Sequence, residues 1–235
     1  MRKMLSMLSL AAMLLPASLV AQEKSQVVGS GKIVSKDYPI SSFDQLSISG
    51  IFSVVLSQGN NEAVRIEAED NLHSHIQVKN EGTKLVVKMK NNGIELKPKK
   101  TVKLYVTIKK LKAMDLSTVG EVSTPESLNF DALKLRNNSV GNVDLKFTAN
   151  SVNIDNNSVG DMELSGKCQT AVIRNNGVGS MDAGSLVVQE MDIENNGIGE
   201  AEVNAEKSLK VKDSMLGKVV NKGAASFNKS KKVAI

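Results

Sequence analysis

The chain has 235 residues, with 30 Lys and Arg against 25 Asp and Glu and only 3% aromatic residues. That length can bury a sizeable core in one or two domains, and without Trp the core must be built from Val, Ile, Leu, Met and Ala in regular layers. A single cysteine, Cys168, excludes an internal disulfide, and with no Cys/His arrangement around it the residue reads as packing rather than as a nucleophile.

Met1-Arg2-Lys3 is followed by an almost uncharged run to Val20 and a small-residue exit, the order of a secretory signal peptide. We expect residues 1–21 to be removed after Ala21, leaving Gln22 at the new end. Ser6, Ser9 and Pro16 interrupt the apolar stretch and no stop-transfer pattern follows, so no membrane span is expected in the mature form. Loss of Arg2 and Lys3 leaves 28 basic against 25 acidic residues, or +3, too mild a balance to argue for nucleic acid. Export to the periplasm, the outer surface or the medium follows from the leader.

Residues 22–111 read as an irregular β start or cap. Alternating stretches occur at Leu46-Ser47-Ile48, at Phe52 to Leu56 and at Lys84 to Met89. Turn signals separate them at Gln58-Gly59-Asn60, Asn80-Glu81-Gly82 and Asn91-Asn92-Gly93. The segment from Glu69 to Ile76 is compatible with a short helical turn. His73 and His75 are spaced to share a strand face and to bind metal, but without a third ligand nearby a turn or surface position is preferred.

From residue 112 to 223 the chain is a repeat. Six units centre on Gly120, Gly141, Gly160, Gly179, Gly199 and Gly217, separated by 21, 19, 19, 20 and 18 positions, and four carry Asn-Asn-Ser/Gly-Val/Ile before the glycine. Three apolar columns emerge when the units are aligned on that glycine. Six positions before it stand Met114, Leu135, Ile154, Ile173, Ile193 and Val211. Immediately before it stand Val119, Val140, Val159, Val178, Ile198 and Leu216, and two positions after it Val122, Val143, Met162, Met181, Ala201 and Val219. All three are expected to face inward. Apolar and polar residues alternate, so each unit reads as short strands around a turn, and units of about 20 residues bury their apolar face only by stacking at about 4.8 Å. The expected fold is all-β, a parallel β-helix or β-solenoid of six coils, with residues 224–235 as its end cap. The Asn columns are assigned to side-chain bonding between coils and the glycines to the sharpest bend.

The chain also resembles the head GIN domain family of auto-transporter adhesins. The likeness runs through Phe43-Asp44-Gln45-Leu46-Ser47-Ile48-Ser49-Gly50, Phe52 to Gly59, Glu67 to Leu72, Val102 to Ile108 and the glycine repeats. Relatives more often carry a Ser-Gly-Ala-Ser type of turn where this chain has Asn-Asn-Ser-Val-Gly. The resemblance implies a right-handed parallel β-helix, export, and adhesion or envelope binding, with lipid binding suggested for some relatives. It brings no catalytic residues.

Two charged columns complete the pattern. Five positions before the glycine, Asp115, Arg136, Asp155, Arg174, Glu194 and Lys212 alternate in sign, which reads as a register device because a slip of one coil would pair like charges. Three positions after it stand Asp144, Glu163, Asp182 and Glu202, with Lys146 beside them. Stacked carboxylates favour divalent cations such as calcium, although a solvated polar face is the preferred reading. The same column offers the carboxyl spacing of a polysaccharide-cleaving enzyme, but every coil repeats it, whereas an acid and a base need unlike environments. The sequence therefore predicts a non-catalytic exported binding protein, an adhesin, for a protein or glycan ligand. A lipid or envelope-component binder is the alternative, which would need an apolar groove between the amino-terminal part and the coils. Self-association is compatible with either.

Overall fold

A computed structural model describes residues 25–90, 93–214 and 217–229. The expected leader, 1–21, lies outside the described residues, as do Asn91 and Asn92 of one turn, Met215 and Leu216 of the last repeat, and the last six residues of the expected end cap. The architecture is a β-solenoid of about five turns. Sixteen of its strands belong to one hydrogen-bonded sheet.

The repeats stack in parallel, in the register that alignment on the glycine requires. Met114 lies beside Leu135, Ile154, Ile173, Ile193 and Val211 in successive coils, all at most 1% exposed. The long strands Val143–Asn156, Met162–Asn175, Met181–Asn195 and Gly199–Asp213 each turn a corner, so one strand serves two faces of the solenoid. At the far end Phe227–Lys229 pairs with Leu209–Val211 and Ala225 is buried.

The amino-terminal part is more regular than its sequence suggests, and its layers are out of chain order. Gln45–Gly50 and Ser53–Gln58 form a coil that pairs directly with the first repeat, Ala113–Thr118 and Val122–Ser123. Lys84–Met89 and Lys103–Ile108 form another on the opposite side of that coil. Beyond it the direction reverses: Ala63–Glu69 and Ile76–Glu81 pair antiparallel with the outer coil, and Ile33–Tyr38 closes the edge. The reversed strands cover the end of the apolar stack, and Ile33–Tyr38 and Ile76–Glu81 become the edge strands there. Between them, Asp70–His75 is the expected short helical turn, of the 3₁₀ type.

One inward assignment is corrected. Val119, Val140, Val159, Val178 and Ile198 point outward, each 48–56% exposed. The reason is pleat parity: from Leu133 through Leu135, Asn137, Ser139, Val143 and Leu145 to Phe147, every second residue is buried except Gly141 at the turn. Apolar preference yields to that alternation, which places Asn137 and Ser139 inside and Val140 outside.

The buried amides are paired with one another. Asn137 Nδ2 donates to Asn156 Oδ1 at 2.9 Å, Asn156 to Asn175 at 2.8 Å, and Asn175 to Asn195 at 2.9 Å. Each first Asn of the repeat is at most 3% exposed, so this ladder runs through the core. At the turn, Gly160 has φ +129°, and a Cβ there would lie 2.5 Å from the Gly141 carbonyl oxygen of the preceding coil. Two constraints thus coincide at that glycine.

Gly160→Ala is expected to lower unfolding free energy by at least about 2 kcal/mol in urea denaturation, combining backbone strain with the clash. Gly82→Ala, at φ +60° with open space around it, should cost only about 1–2 kcal/mol. Equal losses would show that the stacked contact contributes nothing.

Candidate functional site

Alternation that buries the Asn column leaves four parallel ladders on the outside. The first is apolar: Val119, Val140, Val159, Val178 and Ile198 are joined coil to coil by single parallel bridges. Their backbone is satisfied within the stack, with the Val140 and Val159 amides donating to the Thr118 and Ser139 carbonyls at 2.8 and 3.0 Å. Only side chains face outward, at about 4.8 Å intervals. Beside them runs a row of exposed amides, in which Asn176 donates to Asn157 at 3.1 Å and Asn196 to Asn176 at 3.2 Å. The result is a straight aliphatic strip with a neutral polar border.

The alternating charge column forms in the expected register, from Asp115 beside Arg136 to Glu194 beside Lys212. Arg136 approaches Asp115 at 3.9 Å and Arg174 approaches Asp155 at 3.7 Å, while Lys84 of the amino-terminal layers reaches Asp115 at 3.0 Å. These side chains are partly exposed, at 24–54%, so each pair contributes only about 0–1 kcal/mol.

Asp144, Glu163, Asp182 and Glu202 also stack in register. Their surroundings are unequal. Asp182 accepts the Gly184 amide at 3.0 Å, and Glu202 is ion-paired with Lys222. That hydrogen bond holds the Lys222 ammonium above the ordinary lysine range, with Asp182 adding to the attraction. Among the described residues, no three His, Cys, Asp or Glu side chains gather in a metal-binding group.

His73 sits in the 3₁₀ turn rather than on a strand face, and it is 6% exposed. Its Nδ1 lies 3.0 Å from the Tyr38 hydroxyl and its Nε2 2.9 Å from the Val34 carbonyl, so both ring nitrogens serve the end cap. Glu69 is a second buried anchor there, accepting the Gly31 and Lys99 amides at 2.6 and 2.9 Å. Burial pushes the Cys168 thiol up, consistent with packing rather than reactivity.

The sequence reading placed no residues in a groove of about 1060 Å³ where the 109–112 connection passes over the coils. Gln58 pins that connection, donating to the Lys109 carbonyl at 3.2 Å and the Asn129 carbonyl at 3.1 Å and accepting the Asn129 amide at 2.8 Å. Ala132, Ser151 and Val172 line the groove, with buried Leu111 and Leu133 beneath. Lys109, Lys110 and Lys134 are exposed around it, while Lys112 is turned away to Asp44 at 2.7 Å. Its contributors are distant in sequence, which hides it from any repeat alignment.

A stacked parallel coil with a reversed amino-terminal cap defines a β-solenoid protein. Residues 42–225 match the family described as putative auto-transporter adhesin, head GIN domain, and the chain belongs to that family. Among solved structures, it is similar to a putative adhesin from Bacteroides fragilis, at 25% identity and a TM-score of 0.82, over 87% of this chain and 94% of that one. A putative lipid binding protein from Parabacteroides distasonis shares the fold at 18% identity and a TM-score of 0.61, over 88% of this chain and all of the other. A putative adhesin from Parabacteroides merdae does so at 17% identity and a TM-score of 0.57, over 88% and 99% of the respective chains. No curated protein matches.

If the charge column sets register, Arg174→Glu should lower the melting temperature more than Arg174→Gln, by about 1 kcal/mol in equivalent free energy. Identical melting curves would remove that role.

Proposed function

We propose that this protein is an exported, non-catalytic adhesin of the bacterial envelope that contacts a protein partner through the aliphatic ladder from Val119 to Ile198. Membership of the adhesin family supports the class. The observation that carries the surface is the outward row of β-branched side chains, each about half exposed. Contiguous apolar area on a soluble protein marks interaction sites, and a stack of stiff side chains loses little entropy when covered. Aliphatic and amide groups suit a protein surface better than a sugar, which favours aromatic platforms.

A second reading, binding of a lipid or envelope component, is favoured by the groove beside the 109–112 connection. It lies between the amino-terminal layers and the coils, where that reading requires it.

Both readings place the mature protein outside the cytoplasm, and amino-terminal sequencing of protein recovered from the envelope should begin at Gln22. In a binding assay against immobilised collagen, laminin and fibronectin, Val140→Asp/Val178→Asp should bind at least tenfold more weakly than wild type. Its melting temperature should stay within a few degrees, because both positions are exposed. Unaltered binding to a partner that wild type recognises would overturn the assignment of the ladder.

A further inference from the structure

The groove combines three chemical features that bear on its occupant. First, Lys109, Lys110 and Lys134 are exposed around it, and none forms an ion pair among the described residues. Lys109 and Lys110 belong to a lysine-rich stretch of sequence, residues 79–112, with eleven lysines against Glu81 and Glu95. Asp131, on the far wall, is already engaged by the Asn150 amide at 2.8 Å. The field within the groove therefore favours an anion, and ammonium groups serve as point-charge partners for phosphate.

Second, the floor is built of short side chains, with Leu111, Ala132 and Val172 as its apolar members. Ala132, Ser151 and Thr170 occupy equivalent places in adjacent coils, and Val172 stands two residues further along the third. Small side chains in a row let a hydrocarbon chain lie close to the sheet, over about 10 Å for three coils. The 109–112 connection forms one wall and the bend at Asp131 and Asn150 the other, which leaves a single channel.

Third, Asn153 Oδ1, in the lining, is a buried acceptor with no hydrogen-bond partner among the described residues. It stands in the same column as Lys134 and Val172, between the cationic rim and the floor. A buried polar atom without a partner calls for a donor. The oxygen is closed off, so a ligand hydroxyl reaches it only when the Asn153 side chain rotates toward the groove.

We propose that this groove holds a single-chain anionic phospholipid. Its phosphate lies against Lys109, Lys110 and Lys134, its glycerol hydroxyl donates to Asn153, and its acyl chain runs over Ala132, Ser151 and Val172. The inference rests on the envelope-component reading and names the ligand class for it. The aliphatic ladder takes no part.

Calorimetric titration of the mature protein with 1-palmitoyl-lysophosphatidylglycerol, below its critical micelle concentration, should give saturable one-to-one binding. Monopalmitoylglycerol, which lacks the phosphate, and glycerol 3-phosphate, which lacks the chain, should each bind at least tenfold more weakly. Lys109→Glu/Lys110→Glu should cause a comparable loss, and Ser151→Trp should abolish binding without lowering the melting temperature. If Ser151→Trp does not fold, Ala132→Trp fills the same floor from an exposed position. No heat with the lysolipid, or heat unchanged in the charge-reversal and Trp variants, overturns the inference. Vesicles of dioleoylphosphatidylglycerol distinguish the two levels: binding that persists in Ser151→Trp keeps the envelope-component reading and removes the groove from it. Absence of binding to both vesicles and lysolipid removes both.

Discussion

The column of buried amides from Asn137 to Asn195 constrains the rest of the solenoid. A primary amide in an apolar interior must have both its donor and its acceptor satisfied. Here Asn137, Asn156 and Asn175 each donate to the copy in the next coil, and the acceptor also serves the turn: Ser139 N donates to Asn137 Oδ1 at 3.2 Å, and Ser158 Oγ to Asn156 Oδ1 at 2.8 Å. The bond exists only when coils are in register and at the strand spacing. From that requirement follow the alternation that keeps its parity across the turn, the glycine whose Cα sits over a carbonyl, and the outward direction of the valines.

The ladder has a defined start. In the layers before it, the same column holds Leu116 and Ile48, which are fully packed and need no partner. Apolar and amide solutions are therefore each self-consistent, and the chain changes from one to the other at Asn137. The amino-terminal layers use other means of closure: reversed strands, buried Glu69, and the Tyr38–His73–Val34 bonds. Because the chain leaves the stack after Gln58 and returns through 109–112, a connection crosses the outer face there. That crossing, pinned by Gln58, is what makes the groove. The ladder surface and the groove thus have different origins, one in the repeat and the other in its interruption.

Much of this was legible in the sequence. The glycine spacing located the coils to the residue, the Met114 and Val122 columns were placed inside, and both charge columns stack as aligned. The Val119 column was misread because apolar character was weighed above parity; counting by twos from Leu135 would have placed Val140 outside. His73 was read as a turn or surface residue, and the turn is present, but its burial depends on Tyr38 and Val34, both far away in sequence. The layer order could not be read from a linear pattern, since Lys84–Met89 stacks outside Gln45–Gly50 while following it in the chain. The groove was invisible for the same reason. Nothing in the local pattern of Lys109-Lys110-Leu111-Lys112 indicates which coils it will cross.

Family membership and the solenoid scaffold support an exported binding protein, and its candidate surfaces exist only if the register holds. Replacing Asn156 by Leu tests this most directly, because Leu is similar in size and more apolar. The change leaves the donor of Asn137 and the Ser158 hydroxyl without their acceptor. Equilibrium urea unfolding should show a loss of about 2 kcal/mol or more. Unchanged or increased stability would contradict the amide ladder as the constraint on which the fold depends.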